Sequence, residues 1–306
     1  MILVALAIVL ATAAGVWAER RFGARASALS RGSLTAVLYG VLPPVVFFNI
    51  VRAEFDFDDG VGVLCAYAAL ALAVGLAWLV STRVLHLRRA ETGAVMCSVV
   101  VANTGYLGYG VVAALLGFDS LPQAVLYDIA VSSPALILGA FTIGAAFGDR
   151  AGSVPAERIG AFFTRNPALY AAGLGLVAPD VLAPEVVVDA SRILVVAILP
   201  VGFFAVGVAL AEMAQEGVAP FPPPFTKAVA LTVVIRLVIA PALLLGLAVA
   251  LIDLPDEFLL VAAMPCGINS LIVTHAYGLD LRITSAAIAW STAIAVLGTL
   301  VLALVA

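Results

Sequence analysis

Ten apolar stretches run through this 306-residue chain, and two of them are interrupted near the middle by residues that suit a continuous helix poorly. The first, residues 92–117, carries Asn103-Thr104-Gly105-Tyr106-Leu107-Gly108-Tyr109-Gly110, and the second, residues 257–277, carries Pro265-Cys266-Gly267-Ile268-Asn269-Ser270. Glycine removes conformational restraint and proline removes a backbone donor, so each run predicts a break. At membrane depth an unpaired backbone group is tolerated only where protein covers it or where it lines a wet cavity. Two breaks at corresponding places therefore point to a substrate site.

The chain is 64% hydrophobic and 11% charged, with a mean hydropathy of +1.19, which places it with polytopic membrane proteins rather than soluble domains. A helix needs roughly 20 apolar residues to cross the hydrocarbon core. Residues 2–18, 33–51, 61–82, 92–117, 121–147, 167–183, 187–211, 226–252, 257–277 and 283–305 supply ten such spans, the sixth being short and holding Pro179 and Asp180. No soluble domain, nucleotide-binding loop or nucleic-acid patch accompanies them. The expected surroundings are a lipid bilayer.

Residues 1–18 read as a first span rather than a secretory signal, because the positive charge, at Arg20 and Arg21, follows the apolar run. Loops 1-2, 3-4, 5-6, 7-8 and 9-10 hold Arg20, Arg21, Arg25, Arg31, Arg83, Arg88, Arg89, Arg150, Arg158, Arg165, Lys227 and Arg282, whereas the opposite side holds Arg52 and Arg192. The positive-inside rule then puts both termini outside. Cys65, Cys97 and Cys266 lie within spans without metal-ligand spacing and read as small apolar packing residues. The excess of Arg over Lys hints at a prokaryote, hence an inner (plasma) membrane.

Span 2 contains Pro44 with Phe47-Phe48 and span 7 contains Pro200 with Phe203-Phe204, a P-x-x-F-F pair 156 residues apart. A nearly equal offset carries Gly110 onto Pro265. Both signals predict two five-span repeats, residues 1–147 and 167–306, joined by a cytoplasmic linker over residues 148–166. An odd number of spans per repeat inverts the second half relative to the first. Within the linker, Glu157, Arg158 and Arg165 alternate with Ile159, Phe162 and Phe163, the pattern of either a short interfacial helix or a solvated loop. Pro220, Pro222, Pro223 and Pro224 form a stiff connection between spans 7 and 8.

N-T-G-Y-L-G in span 4, P-x-G-x-N-S followed by H-A-Y-G-L-D in span 9, Arg165-Asn166-Pro167 at the start of span 6 and L-P-V-G-F-F-A-V-G-V-A-L in span 7 resemble the bacterial branch of the auxin efflux carrier family. The resemblance covers nearly the whole chain. It implies a fold similar to the bile-acid sodium symporters: a scaffold of spans 1, 2, 6 and 7, and a transport domain of spans 3–5 and 8–10 in which broken helices 4 and 9 cross. Gly110 stands where the family usually has proline, which predicts a looser break in span 4.

A broken helix offers free N–H groups at the start of its second half and carbonyls at the end of its first. The expected anion ligands are Asn103, Thr104, Tyr106, Gly108 and Gly110 from span 4, and Pro265, Gly267, Asn269 and Ser270 from span 9. Asn103 and Asn269 either bind the anion or satisfy backbone freed by the breaks. Arg236, inside span 8, costs about 2.5–3.5 kcal/mol at the bilayer centre and either attracts the anion or pairs with an acid. Asp128, in span 5, is a proton carrier, a partner for Arg236 or a structural group. His275 is a proton-coupling or an interfacial residue. Ser132 and Ser133 either ligate an ion or bond back to their own helix. The two Phe pairs pack, or form a wall against which the transport domain slides.

The expected function is a secondary carrier of a small organic anion working by alternating access, without a resident metal or cofactor. Coupling to sodium or protons, a ligand sensor that does not transport, and a homodimer stay open. An intramembrane enzyme using Asp128 and His275 is disfavoured, since no nucleophile motif accompanies them.

Overall fold

The computed structural model describes residues 2–53, 56–149, 167–215 and 222–305, and these are mostly helical, with no strand among them. The helices are α1 (Ile2–Phe22), α2 (Ala24–Val51), α3 (Phe57–Arg83), α4 (Arg89–Val100), α5 (Thr104–Leu115) and α6 (Phe118–Phe147). After the linker come α7 (Pro167–Val177), α8 (Glu185–Gln215), α9 (Lys227–Ala248), α10 (Asp256–Ala262), α11 (Asn269–Tyr277) and α12 (Leu281–Val305). Six of them, α2, α3, α6, α8, α9 and α12, are long and apolar enough to cross a membrane, while α5 and α7 are shorter apolar helices. The linker pattern at Glu157, Arg158, Ile159, Phe162, Phe163 and Arg165, with Asn166, lies outside the described residues, as does Pro220.

Sequence chemistry sets the ends of these helices. Asp56 caps α3 by accepting from the Asp59 amide at 2.9 Å, and the Asp59 carboxylate accepts from the Asp56 amide at 3.2 Å. Gly278 closes α11 in the left-handed conformation, with φ of 70°. α7 stops at Val177 because Pro179 disfavours helix in the residue before it, and a single 3-10 turn, Asp180–Leu182, follows. Arg52 reaches across to the Ala183 carbonyl at 2.9 Å and fixes that turn.

Wide π-helical turns sit just before prolines in three of the long helices: Val37–Val41 before Pro43, Asp128–Ser132 before Pro134, and Ile235–Ile239 before Pro241. Proline removes an amide and clashes with the carbonyl four residues back, and a π turn makes room for both.

Two sets of close packing organise the bundle. α1 lies along α8, and α7 lies on α2. A Cβ at Gly15 would strike the Phe204 carbonyl, and one at Gly207 would strike the Thr12 carbonyl, so the α1 and α8 backbones meet through reciprocal glycines. α3 packs on α4 and α9, and α12 on α9 and α4. The P-x-x-F-F copies differ in surroundings. Phe47 and Phe48 stack edge to face with centroids 5.2 Å apart, whereas Phe203 is buried with Leu107, Val111 and Met264.

Candidate functional site

α4 ends at Val100 and α10 ends at Ala262, and the extended residues after each end run antiparallel past one another. Ala102 faces Cys266. The Asn103 amide donates to the Pro265 carbonyl at 2.8 Å, and the Gly267 amide donates to the Val101 carbonyl at 2.8 Å. The crossing of the two broken segments is thus a two-bond fragment of β-ladder inside a helical bundle. A Cβ at Gly267 would lie 2.6 Å from the Ala102 carbonyl oxygen, so only glycine allows this approach.

The first break lies earlier than its glycines predict. It falls at Val101–Asn103, after the β-branched run Val99-Val100-Val101, while Gly105, Gly108 and Gly110 belong to α5. Ala102, eight residues before Gly110, is the residue that meets the second break. β-branched residues fit extended backbone, and the partner segment supplies the hydrogen bonds that a helix would otherwise provide.

Two further amides at the crossing find partners too. The Cys266 amide donates to Ser291 Oγ at 3.1 Å, and the Gly108 amide to the Asn103 carbonyl at 3.1 Å. Arg236, 2% exposed, donates from Nε to the Met264 carbonyl at 2.9 Å, from Nη1 to the Val99 carbonyl at 3.1 Å, and from Nη2 to the Ala262 carbonyl. Its guanidinium therefore covers carbonyls at the C-terminal ends of both first halves, where the helix dipoles place partial negative charge. Neither expected role for Arg236 describes this geometry. It meets carbonyls rather than an acid, and it does not line the cavity described next.

A cavity of about 390 Å³ opens at the crossing, within the size range of ligand sites. The crossing supplies Asn103, Thr104, Tyr106, Gly267 and Asn269, and α6 supplies Asp128, Ser132, Ser133 and Phe141. Leu42 of α2 and Ala168 of α7 close the facing wall. α5 and α11 both begin at this cavity, so the positive ends of two helix dipoles face it while Arg236 holds the negative ends of α4 and α10 elsewhere.

Among the described residues, Asp128 is the one carboxylate in the cavity wall. Thr104 Oγ1 donates to its Oδ1, and the Tyr109 hydroxyl, fully buried behind the wall, donates to its Oδ2 at 2.7 Å. Sequence reasoning overlooked Tyr109. No sequence signal marks it, because Tyr109, five residues after Thr104, shares a face with it only where Thr104–Gly108 winds as a π turn.

Of the other expected residues, Gly108, Gly110, Pro265 and Ser270 stand behind the cavity. Gly110 is buried in α5, and Ser270 Oγ donates to the Gly267 carbonyl at 2.7 Å. His275 is exposed in the last turn of α11, away from the cavity and from Asp128. Ser132 and Ser133 both line the cavity, in and just after a π turn.

Residues 163–303, a little under half of the chain, match a family described as membrane transport protein. The matched region holds α7 to α12, and with them Arg236 and the second break; Asn103, Tyr109 and Asp128 lie before it. The family is one of transporters rather than enzymes. A comparison with curated proteins gives no match.

Proposed function

We propose, from the family match over residues 163–303 and the geometry of the crossing, that the chain is a secondary transporter of a small organic anion, bound where α5 and α11 begin. The observation that carries this reading is the sorting of dipole ends. Two N-terminal ends and the side chains of Asn103 and Asn269 face one cavity, while Arg236 covers the opposing carbonyls. Such a cavity favours negative charge without a cationic side chain. Asn103 and Asn269 each offer an N–H donor to a carboxylate.

The packing supports a division into a fixed and a moving part. α1, α2, α7 and α8 form a scaffold, and α3 to α6 with α9 to α12 form a body that carries the crossing. The two meet where Tyr106 lies against Gly202, whose added Cβ would be 2.9 Å from the Tyr106 ring. The cavity extends to Phe141 and Ala168, next to the linker, whereas Leu107, Phe203 and Met264 close the other side. This is an inward-facing state, with both termini on the outer face of a prokaryotic inner membrane.

The test is uptake of a broad panel of carboxylates into vesicles, together with ligand-induced thermal shifts. Asn103→Ala and Asn269→Ala should each weaken binding roughly ten- to hundred-fold, the loss of a hydrogen bond to a charged group worth about 1.5–3 kcal/mol. Their unliganded Tm should stay near wild type. Full ligand response in both variants would move the site away from the crossing, and saturable binding without flux would make the chain a sensor.

A further inference from the structure

Asp128 presents a conflict. A cavity arranged to attract an anion carries a carboxylate in its own wall, and among the described residues no cationic side chain lines it. The groups facing Asp128 are hydroxyls and apolar side chains. α5 contributes Thr104, Tyr106 and Tyr109, and α2 and α7 contribute Leu42 and Ala168. α3 contributes Tyr67, whose hydroxyl donates to the Ala130 carbonyl. Tyr127, next to Asp128 in sequence, stacks on Phe258 of α10 at 5.3 Å, and across the cavity α11 offers Asn269. Arg236 is occupied by the three carbonyls of the crossing.

We propose that Asp128 is a proton-binding site, and that Thr104 links its protonation to anion binding, so that one proton travels with each anion. This rests on the transporter reading above. With Asp128 ionised, Thr104 spends its only hydroxyl hydrogen on Oδ1 and has none for a ligand. When a proton from cavity water adds to Oδ1, the new O–H donates to Thr104 Oγ1, and the Thr104 hydrogen turns toward the cavity. One proton therefore removes a repelling charge and frees a donor at the start of α5. Tyr109 keeps Oδ2 in place in both states. The two hydroxyls aim hydrogens, not lone pairs, at the carboxylate, which suits a proton better than a hard cation needing several oxygen ligands.

The full chain, reconstituted in liposomes, gives two readouts. Infrared difference spectra between mildly alkaline and mildly acidic pH detect the C=O stretch of a protonated carboxyl group with no ligand present. Wild type should gain such a band, Asp128→Asn should lack it, and Thr104→Val should keep it at a shifted frequency. If Asp128→Asn does not fold, the shifts in Thr104→Val and in Tyr109→Phe assign the band instead. Affinities are measured in parallel for pyruvate, oxalate and methanesulfonate, which stay ionised over this range. Wild-type affinity should weaken about tenfold per pH unit once Asp128 is ionised, as one-proton linkage requires, and Asp128→Asn should bind independently of pH.

The proposal is overturned if no band titrates, if Asp128→Asn or the two hydroxyl variants leave the band unchanged, or if wild-type affinity ignores pH. Binding that follows sodium and not pH overturns it as well. If the band titrates as expected but none of the three anions binds at any pH, the organic-anion reading has failed, and the coupling falls with it.

Discussion

Arg236 illustrates how one side chain decides the character of a site it never enters. Three carbonyls released by two helix breaks converge on one planar fork, whose fixed donors match separate acceptors as an ammonium does not. Arg236→Met should lower Tm in detergent, with about 1–3 kcal/mol lost for each buried carbonyl left without a donor. Arg236→Lys, keeping the charge but not the reach, should fall between. If Arg236→Met retains wild-type stability, water has replaced the guanidinium and the clamp is dispensable. A lone arginine in an apolar span announces that it needs partners. It does not announce that they are backbone oxygens, because those appear only when two distant helices end beside it.

At the scale of elements, both breaks are legible in the residues, while their meeting is legible only through the family resemblance. The proline and glycine of the second segment mark its break correctly, since Pro265 lacks an amide and Gly267 admits the Ala102 carbonyl. In the first segment the glycines mislead. α5 absorbs all three, and the chain leaves helix at valines whose own preference for extended backbone is weak until a partner strand arrives. Gly267→Ala should therefore abolish ligand binding, with stability lowered by about 1–3 kcal/mol through overpacking, as read by ligand-induced and basal thermal shifts. Gly207→Leu, which forces α8 off the Thr12 carbonyl, should destabilise the α1 and α8 pair by a similar amount while sparing the ligand shift at permissive temperature.

For the whole molecule, the proposed inward-facing state predicts an asymmetry in access. Phe141→Cys, on the cavity wall, should react with a membrane-impermeant maleimide from the face bearing the basic connections, and saturating anion should protect it. Phe203→Cys, 1% exposed on the closed side, should stay unlabelled from either face. Labelling of both from the same face would mean that the bundle is open through. The crossing also bears on how the chain is made. Ala102 and its partner Cys266 are separated by 164 residues of synthesis, which at about 5–20 residues per second is roughly 10–30 s. For that interval the Val101 carbonyl and the Asn103 amide sit in a newly inserted segment whose permanent partners have not yet left the ribosome. The first half of this protein is thus born incomplete, and its own backbone is satisfied only when the chain between α5 and α10 has been made.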